Sequence, residues 1–128
     1  MNQQDPTVTL SRATEFCAAW NSRDPQLVVS FFTEDGIFHE HAGPGRPVQT
    51  FKGREEIFKF VKSFFDNNPG GRFENISVDL GGHSGLLKWD YVTTRADGKV
   101  TRTAGIDFLM FRGDLVAGLD RGVRLSEQ

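Results

Sequence analysis

Asp107 is the side chain in this sequence whose setting most suggests chemistry. It falls in the middle of a β-like run, Val100 to Phe111, directly between Ile106 and Phe108. A carboxylate left unpaired among apolar neighbours is costly, and desolvation there is expected to raise its pKa. A second carboxylate, Glu40, ends the strand-like phrase GIFHEH, with a histidine on either side. Alternation puts His39 and His41 on one face. A metal site needs three or four ligands, however, and the remaining histidine, His83, lies near a turn, so no metal is expected. Lys88 precedes Asp90 by two residues, which places both on one strand face, and Asp120 falls on the final strand. That trio is an alternative catalytic set; it also reads as a structural ion-pair cluster. Cys17 has no evident activating partner and belongs to a helix core. Arg112-Gly113-Asp114 is accounted for as a hairpin tip.

The elements that must hold these groups follow from periodicity. From about Val8 to Asn21, Ala13, Phe16, Cys17 and Trp20 recur at helical spacing. Asp24-Pro25 supplies an N-cap and a proline at the first helical position of a short helix that is expected to bury Leu27, Val28, Phe31 and Phe32. A loop from Gly43 to Pro47 leads to a third helix after Gly53, with Ile57, Phe60, Val61 and Phe64 inward and Arg54, Glu55, Lys59 and Lys62 in water. Asn67 to Gly71 stops that helix. Four β-rich runs follow: Phe73 to Leu80, Leu86 to Thr94, Val100 to Phe111 and Leu115 to Leu125. Gly81-Gly82, Asp97-Gly98 and Gly113-Asp114 punctuate them as hairpin turns. Helices grouped ahead of sequential hairpins predict an α+β fold with an antiparallel meander. On the third run Gly105, Asp107, Leu109 and Phe111 share one face, and Ile106, Phe108 and Met110 the other. Both faces are apolar, so the helices are expected to cover one and a second subunit the other, giving a homodimer through the sheet.

Composition excludes several functions. The chain is expected to be a single domain over residues 1–128, with 1–7 flexible, and is long enough to bury one real core. A net charge of -2 without a concentrated basic surface points away from nucleic acid and from anionic membranes. No run approaches the ~20 apolar residues of a membrane span. The N-terminus lacks a basic start and an apolar stretch, and a lone cysteine suits a reducing compartment, so a cytoplasmic location is expected. Twelve Phe against one Tyr and two Trp make the interior apolar and poor in hydroxyl donors.

The order of elements, together with NSRD (Asn21 to Asp24), FFTEDGIFHE (Phe31 to Glu40), FKGREEIFKFV (Phe51 to Val61) and GIDFLMFRGDLV (Gly105 to Val116), resembles the NTF2-like superfamily and its SnoaL-like members. That resemblance implies an NTF2-like cone, with three N-terminal helices packed on a curved antiparallel sheet that encloses a pocket. It also implies acid/base chemistry on a hydrophobic, carbonyl-bearing small molecule, by isomerisation or aldol-type cyclisation, without metal or organic cofactor. By resemblance to ketosteroid isomerases, Glu40 stands at the position of the carboxylate base and Asp107 at that of a protonated, hydrogen-bond-donating carboxyl, an arrangement that is itself the standard illustration of an acid kept neutral by apolar surroundings. By resemblance to SnoaL-type cyclases, Asp107 is the acid/base. The oxyanion-donating tyrosine of the isomerases is matched here by Phe16, which cannot donate. Limonene epoxide hydrolases carry Asp-Arg-Asp, which Asp90, Lys88 and Asp120 match in charge; lysine lacks the planar fork of arginine. Phe16, Trp20, Phe38, Phe60, Trp89 and Leu109 are expected to shape the pocket. A non-catalytic ligand-binding or assembly domain is the competing class.

Overall fold

A computed structural model describes residues 8–41 and 45–123. The expectations for residues 1–7, for the start of the Gly43 to Pro47 loop and for Leu125 lie outside the described residues. Helix α1, Leu10–Ser22, starts on Thr9, whose side chain accepts from the Arg12 amide at 3.1 Å. It ends on Arg23, held in the left-handed region at φ 62°. That residue's guanidinium donates to the carbonyls of Phe65, Asn68 and Gly71, pinning the end of the third helix to the first. Helix α2, Pro25–Val29, is capped as expected, with Asp24 Oδ1 accepting from the amides of Gln26 and Leu27. Its inward residues are Val28 and Val29, whereas Leu27 is 42% exposed, because five residues make too few turns to bury both sides.

Strand β1, Phe32–His41, is followed by a short strand, β2, Gln49–Lys52, that the sequence reading did not anticipate. Helix α3, Gly53–Asn67, buries the stripe Ile57, Val61 and Phe65 and leaves Phe60 and Phe64 half-buried on its shoulder. Arg54 is not in water: its Nε and Nη2 both donate to the carbonyl of Phe32. The remaining strands are β3, Arg72–Gly81, β4, Ser84–Thr94, β5, Val100–Arg112, and β6, Leu115–Val123.

These strands form one sheet in the order β2-β1-β6-β5-β4-β3. Strands β3 to β6 make the expected meander of antiparallel hairpins. The sheet as a whole is mixed rather than antiparallel, because β6 returns beside β1 and runs parallel to it. An excursion through β2, α3 and three hairpin strands separates the two, so their relative direction is not dictated by a turn. On β5, Gly105, Asp107, Leu109 and Phe111 are buried beneath the helices. Phe108 and Met110 are 42% and 56% exposed on the outer face. Among the described residues, no helix is long and apolar enough to cross a membrane.

The hairpin β5–β6 carries the feature that decides the site. Its two-residue turn pairs Arg112 with Leu115 and Phe111 with Val116. Ala117 is then an extra residue on β6, and from Met110 onward the partners are shifted by one. Such a bulge turns every later side chain of the strand to the opposite face. Leu119 and Arg121 therefore point inward, and Asp120 points outward.

Candidate active site

Asp107 and Arg121 face each other across β5 and β6 beneath the helices, each side chain at most 3% exposed. Arg121 Nε donates to Asp107 Oδ1 at 2.9 Å and Nη2 to Oδ2 at 3.0 Å. This parallel pair of charge-assisted bonds is the geometry for which guanidinium is suited. Both Asp107 oxygens accept, so the carboxyl is engaged with Arg121 rather than turned toward a ligand as a donor. Burial works against the arginine's charge, but the carboxylate of Asp107 and its hydrogen bonds outweigh it, and Glu40 adds to them; the guanidinium is held more firmly charged than usual. Four aromatic rings surround it: Trp20 at 4.3 Å from Cζ to the ring centroid, Trp89 at 5.2 Å, Phe73 at 5.3 Å and Phe38 at 5.4 Å.

Glu40 is the cross-strand neighbour of Arg121 on β1. Its Oε1 is buried and has no hydrogen-bond partner among the described residues. Burial raises its pKa, opposed by the charge of Arg121 and reinforced by that of Asp107. Thus three adjacent strands, β1, β6 and β5, bring a carboxyl, a guanidinium and a second carboxyl to one inward face. A carboxyl with a raised pKa is less stable ionised in the fold than in the unfolded chain. Glu40 therefore supports folding fully below the ordinary carboxyl value of 4.5 and loses that support as pH rises through its raised folded value. Glu40→Gln should accordingly be more stable than the parent at pH 7.5 and nearly equal to it at pH 4. Paired thermal melts check this, and an advantage of the same size at both pH values would remove the burial argument.

The cavity beside these groups is walled by Cys17, Trp20, Phe73, Ile76, Leu87, Trp89, Asp107 and Arg121, with a volume of about 10 Å³, room for the centre of about one water molecule. Trp20 and Trp89 stand on it. Phe38 lies over the guanidinium just behind. Phe16 and Leu109 are core residues away from its walls. Phe60, with Phe51 and Phe64, instead floors an outer groove of about 690 Å³ between β2 and α3. The rings of Phe60 and Phe64 also touch the inner wall, with centroids 5.0 Å from Phe38 and 6.0 Å from Trp20. Burial, with the charge of Asp107 adding to it, pushes the Cys17 thiol up to about 11, so it is no nucleophile at neutral pH.

The other sequence candidates lie elsewhere. Lys88 and Asp90 turn to the outer face of β4, where Asp90 accepts from Asn75 and Arg102. Asp120 is on the outer face of β6, with β5 between the two strands. These three are therefore not brought together at the cavity. His39 bonds Thr50 through Nδ1 at 2.9 Å, and His41 is exposed. Among the described residues, no group of three or more His, Cys, Asp or Glu is placed to hold a metal ion. The residue that the sequence reading missed is Arg121. Simple alternation back from the Gly113-Asp114 turn sets Asp120 opposite Asp107, and only the extra residue at Ala117 exchanges Asp120 for Arg121.

Helices laid over one face of a mixed six-stranded sheet are the NTF2-like fold. The SnoaL-like domain model matches residues 13–119, and the chain belongs to that family. No curated protein sequence matches it. Among solved structures, it is similar to a candidate polyketide cyclase from Pseudomonas putida, with a TM-score of 0.76 and 15% identity over 93% of each chain. A hypothetical protein with a ketosteroid isomerase-like fold from Catenulispora acidiphila, solved with trimethylamine, gives a TM-score of 0.71 and 22% identity over 93% of this chain and 89% of that one. A candidate SnoaL-like polyketide cyclase from Jannaschia sp. gives 0.75 and 10% over 96% and 91%. At these identities the likeness is one of fold.

Proposed function

We propose that this chain is an acid/base catalyst acting on a hydrophobic small molecule that bears a carbonyl group, by isomerisation or aldol-type cyclisation. The observation that carries the reading is the pairing of Glu40 and Arg121 across β1 and β6, with a buried oxygen on one and a buried nitrogen, Nη1, on the other, both without a hydrogen-bond partner among the described residues. In this reading the Glu40 carboxylate removes a proton from the carbon beside the carbonyl. The C–H electron pair moves to the carbonyl oxygen, and Arg121 Nη1 stabilises the enolate. Return of the proton to a different carbon completes an isomerisation; attack of the enolate carbon on a second carbonyl, whose oxygen takes the proton from Glu40, completes a cyclisation. Asp107 is a positioning residue, holding the guanidinium by two bonds so that its third nitrogen stays free. The raised pKa of Glu40 brings the base nearer to neutral pH, where such groups work best. No metal or organic cofactor enters this chemistry. A second copy of the chain covering the apolar outer face around Phe108 and Met110 completes the proposal.

The test is exchange of the α-protons of a panel of aromatic and alicyclic ketones in D2O. Glu40→Gln should lower the exchange rate by about 10²–10⁴. A change of less than about tenfold would remove Glu40 as the base. A non-catalytic ligand-holding role is the second reading. It is favoured by the lining of the cavity, which includes Asp107 and Arg121 but not Glu40, the base of the first reading. In that case no ketone would exchange, although binding persisted.

A further inference from the structure

The polar atoms around the cavity are unbalanced. The indole nitrogens of Trp20 and Trp89 and Nη1 of Arg121 are buried donors with no acceptor among the described residues. All three residues wall the same cavity, and each is more than nine-tenths buried. The oxygens of Asp107 are already engaged by Arg121, which leaves Glu40 Oε1 as the unpartnered carboxylate oxygen close by. Buried donors without acceptors are uncommon because each forfeits its hydration. Three on one small cavity make a site short of acceptors. A cationic ligand would add donors to that excess. It would also compete with Arg121, which already occupies the centre of the four-ring aromatic box. An anionic ligand would meet Glu40 and Asp107.

We infer that the cavity is an acceptor site for the carbonyl oxygen of a neutral small molecule, with the indole N–H groups of Trp20 and Trp89 donating beside Arg121 Nη1. Trp20 and Trp89 are thereby binding and specificity-determining residues, not only walls. They select a C=O group over an amine or a hydrocarbon of the same shape, because only the oxygen gives the buried N–H groups a partner. The volume of about 10 Å³ has room for one such oxygen. This inference rests on the cavity being a ligand site, as proposed above, but it does not require turnover.

The chain has two tryptophans, so its 1H–15N spectrum carries two indole N–H signals, each reporting on one donor. Titration with acetophenone should move both downfield in a saturable way. α-Methylstyrene, which replaces C=O by C=CH2 at nearly constant shape, should leave both in place at the same concentration. Trp20→Phe and Trp89→Phe should each weaken acetophenone binding by about three- to tenfold, the value of one hydrogen bond. The inference is overturned if acetophenone does not bind, if it shifts backbone amides while both indole signals stay fixed, or if α-methylstyrene moves them equally. Indole shifts without α-proton exchange would keep the acceptor site and sink the catalytic reading.

Discussion

Asp107→Leu should destabilise the fold by about 3–5 kcal/mol, because it leaves the guanidinium of Arg121 charged and buried without its partner. The reverse change, Arg121→Met, should cost a similar amount by stranding the Asp107 carboxylate. The double variant should recover most of the loss, since a buried ion pair exchanged for apolar side chains of similar volume is often neutral or stabilising. Chemical denaturation of the four proteins gives the coupling energy directly. If the single changes cost less than about 1 kcal/mol, or their effects simply add, the pair is more hydrated than its 2–3% side-chain exposure implies. Recovery of stability in the double variant would also show that the pair contributes position rather than net stability.

Gly105→Val should cost about 3 kcal/mol, at the upper end of the range for overpacking a core. Gly105 and Trp89 are directly paired across β5 and β4, and the indole ring lies flat over the glycine. A Cβ at this position would fall inside the van der Waals envelope of three indole ring atoms. Trp89 cannot move away freely, because Phe73 packs against it at 5.0 Å between centroids and the Arg121 guanidinium carbon lies 5.2 Å from its ring centroid. The same substitution in a Trp89→Leu background should cost distinctly less. Equal costs in the two backgrounds would show that strand propensity, and not the ring, makes glycine necessary.

The helices and hairpins were legible in the sequence because each depends on local signals. The Asp24-Pro25 cap, the helical spacing of Phe16, Cys17 and Trp20, and three turns centred on glycine all act within a few residues. Asp107 was legible because a charge between Ile106 and Phe108 on a strand is conspicuous. Its partner was not. Arg121 is one of many arginines in the sequence, and its inward direction depends on a single unpaired residue, Ala117, whose effect propagates along β6. The direction of β6 relative to β1 was hidden for a related reason: the two strands meet across an excursion with no turn between them. The place of Asp107 shifts accordingly, from an expected hydrogen-bond donor to the acceptor that anchors Arg121.

The parallel pairing of β1 with β6 also divides the site by chain entropy. The contact between Asp107 and Arg121 closes a loop of 14 residues inside one hairpin. Bringing Glu40 beside Arg121 closes one of roughly eighty, which costs about 1.5 kcal/mol more in loop closure alone. The anchored cation is thus the locally encoded half of the cluster, and the Glu40 carboxyl is the half added by long-range closure. Native-state hydrogen exchange should find the β1 amides opening at lower free energy than those of β5 and β6. Each such opening would carry Glu40 away and leave the ion pair formed.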